Sequence, residues 1–169
     1  FSAVSPDVDE TPLPGEPALN LVSRLGEAKA RAVGGGRRGA LVIGSDQGAE
    51  CDGRVLGKPG DHAGALQQLA ALSGRRVRFL TSLCVLNVDA GAMQRDVVVY
   101  TVHFRSLDGA AIERYLARER PYDCAGAFKS EALGISLVER FEGDDPTALM
   151  GLPLIRLCEM LRREGIEVP

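Results

Sequence analysis

Apolar residues recur along the chain with two periods, and the changes of period mark its elements. From about 17 to 33, Leu21, Leu25, Ala28 and Ala32 fall at helical spacing, while Arg24, Glu27 and Arg31 face away. Gly34, Gly35 and Gly36 stop this helix. Before it, Phe1 to Val4 reads as a strand in progress, and Pro12, Pro14 and Pro17 make 5–16 a loop. After it, Leu41-Val42-Ile43 predicts a strand over 40–45 buried on both faces, because nothing polar alternates with it. Asp52-Gly53 predicts a hairpin turn between short strands near 48–51 and 54–57.

The second half of the chain continues the alternation. A helix is predicted over about 61–72, with Ala65, Leu66 and Leu69 inward. In 76–88, Val77, Phe79, Thr81, Leu83 and Val85 keep period two; in 95–105, Val98, Tyr100, Val102 and Phe104 do the same. The turn Asp89-Ala90-Gly91 pairs these as one long antiparallel hairpin. A helix over about 109–119 buries Ile112, Tyr115 and Leu116, and 134–141 fits a strand. A last helix has Pro153 in its first turn, Leu154, Leu157, Cys158 and Leu161 inward, and Gly165 just past its end. The expected class is α/β, with a mixed sheet that contains a long antiparallel hairpin.

Composition narrows the function classes. The 169 residues suit one domain, or two small lobes sharing a core. Apolar residues are 45% and charged residues 25%, which is ordinary for a globular protein. A net charge of −3 gives no electrostatic case for a nucleic-acid polymer as partner. No apolar run approaches the roughly 20 residues of a membrane span, and no signal-peptide pattern is visible. Cys51, Cys84, Cys124 and Cys158 are too scattered for a zinc site and read as reduced thiols of a cytoplasmic protein.

A few polar residues do not fit a bland core. The predicted strand runs into Gly44-Ser45-Asp46-Gln47. An aspartate beyond a strand end can hold a metal or accept a proton from water, and Gly44 would let a ligand approach the backbone; a solvent-exposed turn explains the same residues. Asp7, Asp9 and Glu10 crowd within four residues, as a cation site or as a solvated acidic loop. Lys29 lies at the edge of its helix's apolar face, near Ala18 and Val22. It either snorkels to water or projects toward whatever the acidic loop binds. Lys58 stands between Gly57 and Pro59, which fix its direction. Carboxylates and lysines together suggest Mg²⁺ or Mn²⁺ chemistry on phosphates, without a P-loop sequence. His62 and His103 stand apart and read as structural.

The stretches V-S-P-D-V-D-E-T-P, E-A-K-A, I-G-S-D-Q, L-G-K-P, Y-D-C-A-G-A-F-K-S-E and E-G-D-D-P-T-A-L-M-G-L-P-L occur in this order over essentially the whole chain. Together they resemble the Maf family of nucleoside triphosphate pyrophosphatases. F-K-S-E and the ending G-L-P-L-I-R-L-C-E-M-L-R-R-E-G resemble its 7-methylguanosine-triphosphate subgroup. The resemblance implies a single Maf-like domain over 1–169, an inosine-triphosphatase-like fold with two lobes around a cleft, and a homodimer. It implies a divalent metal, and attack of water on the α-phosphorus to release a nucleoside monophosphate and pyrophosphate. By similarity Asp46 is the proton acceptor and shares the metal with Glu10, Lys29 and Lys58 bind the triphosphate, and Gln47 and Glu131 bear on substrate choice.

Chemistry gives Glu131 a reason. Guanine presents two adjacent donors that one carboxylate can accept, and uracil and thymine do not. N7-methylation makes the base cationic, which a carboxylate and an aromatic face such as Phe128 favour; core packing explains Phe128 equally. Lys129 is either a substrate contact or a solvated lysine. Other functions in view are a broader or pyrimidine-directed (dTTP or UTP) pyrophosphatase and a nucleotide-binding regulator linked to septum formation. The family's opening strand and S-x-S-x-R-R phosphate segment do not occur in residues 1–169. Gly48, Ala127 and Ala132 also depart from the pattern. The first is expected to loosen the strand's end, and the last to restrict the backbone beside Glu131.

Overall fold

The computed structural model describes all 169 residues. Helix α1 covers Ala18–Gly34, and Gly35 and Gly36 follow it, the latter at φ +78°. Its buried face is Leu21, Val22, Leu25, Gly26 and Ala30; Ala28 is half-buried and Ala32 exposed, which corrects the expected stripe. The reason is close approach. A Cβ on Gly26 would lie 2.3 Å from Ser82 Oγ, and one on Gly34 would lie 2.7 Å from Leu86 Cδ2. The helix turns its smallest residues to the sheet, because the contact distance is shortest there.

Strand β1 runs Leu41–Cys51, well past its predicted end, and β2 is Arg54–Leu56. Asp52 and Gly53 have φ of 50° and 76°, the pair of positive values that a two-residue type I′ hairpin needs. The register is Ala49↔Leu56, Glu50↔Val55 and Cys51↔Arg54. Helix α2 covers His62–Leu72, with the Asp61 carboxylate accepting the Gly64 N–H at 2.7 Å. Strands β3 (Arg76–Asn87) and β4 (Ala92–Phe104) form the expected hairpin around 88–91. Helix α3 is Gly109–Glu119, β5 is Val138–Glu142 and helix α4 is Leu154–Arg163. The predicted strand 134–141 begins late, because Leu133–Leu137 is a 3₁₀ segment.

The five strands form one sheet in the order β2-β1-β3-β4-β5, and the outer pairs β1–β2 and β4–β5 are antiparallel. The α/β class and the long hairpin are as expected. Two burial patterns differ. Ile43 is 42% exposed, so β1 is not buried on both faces at its start. From Phe79 to Leu86, β3 is buried on both faces instead of alternating, because it is the sheet's central strand. Phe1–Val4, expected as a strand, is irregular and exposed; no ladder partners it.

The chain divides into two compact units. The first comprises Phe1–Gln47, Leu80–Val98 and Asp145–Pro169. Ala30, Val42, Cys84 and Leu86 form one of its clusters, and Leu83, Val85, Leu157 and Met160 form another. The even and odd residues of β3 thus serve opposite faces, covered by α1 and α4. Leu154 was expected inward but is 46% exposed, and Met160 takes the buried position. The second unit comprises Gly48–Phe79 and Val99–Asp144. In it α2 packs on α3, and Phe128 sits against Phe79 and Phe104 with ring centroids 5.7 and 5.2 Å apart. The four cysteines are unpaired; burial pushes the Cys84 thiol up to about 11, so it is inert at neutral pH. No helix is long and apolar enough to cross a membrane.

Candidate active site

The first unit brings three of the singled-out residues together. Asp46 is not beyond a strand end, as expected, but in the middle of β1. Alternation along the strand places Val42, Gly44 and Asp46 on the face that meets α1. A Cβ on Gly44 would stand 2.4 Å from the Gly26 carbonyl oxygen and 2.7 Å from the Ala30 nitrogen. Gly44 therefore admits a helix backbone, not a ligand. That contact, one turn along α1, sets Lys29 against Asp46.

The Lys29 ammonium lies 2.6 Å from Asp46 Oδ1 and 2.6 Å from Glu10 Oε1. Its side chain is 19% exposed, Asp46's 12% and Glu10's 51%. Burial works against the lysine's charge, but the hydrogen bonds to Asp46 and Glu10 outweigh it and raise the pKa above the usual lysine range. Lys29 thus stays cationic between two carboxylates.

Glu10 arrives on an ordered loop. Glu16 Oε1 and Oε2 each accept from Arg24 at 2.8 Å, and Glu16 Oε2 also accepts the Leu13 N–H at 3.0 Å. Arg24 Nη2 donates to the Thr11 carbonyl at 3.2 Å, and Asp9 Oδ1 accepts the Thr11 N–H at 2.9 Å. The Arg24 pairing holds the Glu16 carboxyl down to about 2. The expectation that Arg24 faces away is corrected: its guanidinium clamps the acidic loop to the helix.

The opposite face of β1 is fastened as well. Ser45 Oγ lies 2.7 Å from the Ser82 carbonyl and 2.8 Å from that of Gly151. Gln47 Nε2 donates to the Ala148 carbonyl at 2.8 Å, the Leu149 carbonyl at 3.2 Å and Thr81 Oγ1 at 3.0 Å. Those carbonyls belong to the 3₁₀ turn Pro146–Met150 and to Gly151. Asp145, 3% exposed, anchors that turn. Its Oδ1 accepts the Thr147 hydroxyl at 2.5 Å, and its Oδ2 accepts the Ile155 N–H at 2.9 Å. Thr147 Oγ1 in turn accepts the Leu154 N–H at 2.7 Å. The first turn of α4, the D-D-P-T turn and β1 are therefore one hydrogen-bonded assembly around Asp46. Sequence reading missed Arg24, Ser45, Ser82, Asp145 and Thr147; D-x-T ahead of an apolar helix is a cap signature that could have revealed the last two.

The second unit holds the other candidates. Lys58 is exposed in a loop fixed on both sides: the Gly57 carbonyl accepts from Gln68 Nε2 at 3.0 Å, and the Gly60 N–H donates to the Tyr122 carbonyl at 3.0 Å. Phe128 is 5% exposed and packs in the aromatic core. The Lys129 N–H donates to the Tyr115 hydroxyl at 3.2 Å, and the Lys129 carbonyl accepts the Gly134 N–H at 3.1 Å. Glu131, between these anchors, is exposed, and Ser130 Oγ donates to its Oε2 at 3.3 Å. Ala132 adopts φ −128°, so alanine there costs no left-handed strain, whereas Ala127 does take φ 52°. His62 bonds Tyr122 and Glu113, and His103 bonds Glu142.

A profile of the Maf family, described as "Maf-like protein", matches residues 1–164. The chain belongs to the Maf family. Similar proteins named 7-methyl-GTP pyrophosphatase include the following three. That of Pseudomonas syringae pv. syringae (strain B728a) is 53% identical over 169 residues, covering 100% of this chain and 88% of its own length. That of Nitrosococcus oceani is 52% identical over 168 residues, covering 99% and 84%. That of Alkalilimnicola ehrlichii is 57% identical over 159 residues, covering 94% and 80%.

Proposed function

We propose that this chain is a divalent-metal-dependent nucleoside triphosphate pyrophosphatase that converts 7-methyl-GTP to its monophosphate and pyrophosphate. The reading is carried by the Lys29 ammonium held between Asp46 and Glu10, in a chain whose family relatives bear that activity in their names. Asp46 takes the proton from the water that attacks the α-phosphorus, and Glu10 completes the carboxylate pair. Lys29 and Lys58 neutralise phosphate oxygens, which is where catalysis of this reaction mainly lies.

The donor set suits Mg²⁺ or Mn²⁺: two carboxylates are the usual protein share of such a site, with phosphates and water supplying the rest. Asp46 and Glu10 would hold the ion, which when bound supplies charge neutralisation and a more acidic water. Lys29 already engages both carboxylates. It competes for them until a polyphosphate draws its ammonium away.

Glu131 selects the base by accepting both donors of the guanine edge, with Ser130 orienting its carboxylate. Lys129 supplies charge nearby, and Gln47 acts by holding the turn beside Asp46. We further propose that the protein works in the cytoplasm as a homodimer.

The test is hydrolysis of 7-methyl-GTP in ¹⁸O-water, with product analysis by mass spectrometry. Label in the monophosphate and unlabelled pyrophosphate support the reading. Release of inorganic phosphate with a labelled γ-phosphoryl group contradicts it.

A further inference from the structure

The second unit contains a pocket of about 200 Å³ that the proposed reaction does not use. Arg105, Arg114, Arg118, Tyr115, Leu133 and Ser136 are among its lining residues. Arg114 and Arg118 stand four residues apart on α3, on one helix face, where like charges repel. Neither guanidinium has a hydrogen bond or ion pair within the chain. Arg105 is fixed: its Nε donates to the Ser136 carbonyl at 2.8 Å and its Nη1 to the Ser106 carbonyl at 3.2 Å.

No carboxylate lines the pocket. The acids of α3 have other partners: Glu113 bonds His62 at 2.9 Å, and Glu119 Oε1 accepts the Leu133 N–H at 3.2 Å. Three arginines therefore line one concavity that contains no carboxylate among its lining residues, against an apolar wall of Leu133 and the buried ring of Tyr115; the Glu119 carboxylate is held by the Leu133 N–H. Guanidinium forks match oxyanions bidentately and are weakly hydrated, so an apolar wall strengthens the pairing. The volume is below the roughly 300–1,000 Å³ of pockets for drug-sized organic ligands. It suits a small, multiply charged ion.

We infer that this pocket binds a phosphate-class oxyanion, inorganic phosphate or pyrophosphate, at a site separate from the residues assigned to catalysis. The experiment is a ¹H–¹⁵N NMR titration of the whole chain with phosphate and then pyrophosphate in metal-free buffer. The expected result is saturable shifts of the amides of Arg114, Arg118, Leu133 and Ser136. The double variant Arg114→Gln/Arg118→Gln, with unchanged circular dichroism and pyrophosphate release, should bind at least about tenfold more weakly at these amides. Arg118→Lys, which keeps the charge and loses the fork, should fall between the two. Shifts confined to β1 around Asp46, or equal saturation of these amides in wild type and double variant, would overturn the inference.

Discussion

The Lys29–Asp46–Glu10 cluster and the Phe128–Glu131 segment are built on opposite principles. The first is held by side chains from both directions. Asp46 is in the middle of a strand whose neighbours Ser45 and Gln47 are bonded to the Pro146–Gly151 turn, and its carboxylate is paired to Lys29. The second is held by its backbone. Lys129 is tied by its N–H and carbonyl, while the Glu131 carboxylate is exposed with only Ser130 on it. Tolerance to substitution should differ accordingly between the two regions. On the proposed reading, Asp46 meets the reacting atom and is fixed from several sides, so most substitutions around it should be costly. Glu131, proposed to read the base, should be exchangeable while the frame beneath it stays intact.

The largest effect is expected at Lys29. Lys29→Met should lower kcat about 10²- to 10³-fold, as removal of an electrostatic stabiliser does, and steady-state kinetics would measure it. The same variant should bind Mn²⁺ more tightly in the absence of nucleotide, because the ammonium no longer competes for Asp46 and Glu10; calorimetry would show this. Gly44→Ala should destabilise the fold by about 3 kcal/mol in urea denaturation, since the new methyl meets backbone atoms of α1 that cannot move aside. A loss of less than about 0.5 kcal/mol would show that the α1–β1 contact is not what sets Lys29.

Smaller effects probe the loop and the base. Glu16 has its carboxyl pKa lowered from the ordinary 4.5 to about 2, so the Arg24 pairing contributes stability above pH 4.5 and loses it as pH falls through about 2. Carbon-detected NMR titration should find Glu16 near 2 in wild type and higher in Arg24→Ala, though still below the ordinary value because the Leu13 N–H remains on its carboxylate. Glu131→Gln should leave stability within about 0.5 kcal/mol of wild type and lower the preference for 7-methyl-GTP over UTP. An unchanged ratio of kcat/KM values would remove Glu131 from base recognition.

Much of the frame was legible in residue order. The hairpin at Asp52-Gly53, α3 from Gly109 to Glu119 and the α1 bounds followed from turn chemistry and period alone. The strand end at 45 did not, because a serine, an aspartate and a glutamine look like a turn until partners for them are known. Ser82 and the Pro146–Gly151 turn supply those partners from far along the chain. Arg24 was misread for a similar reason. A helical wheel assigns a charged residue to solvent, and only the fold of the 9–16 loop brings Glu16 to it. The α1 stripe was displaced because periodicity counts apolar character, whereas packing at Gly26 and Gly44 selects for smallness.

Pyrophosphate release from 7-methyl-GTP with Mg²⁺, compared between wild type and Asp46→Asn, addresses the account most directly. Asp46→Asn keeps the side chain's shape and removes its basicity. Rapid release is expected from wild type, with a loss of about 10²- to 10⁴-fold in the variant at unchanged circular dichroism. Equal rates for the two proteins would contradict it.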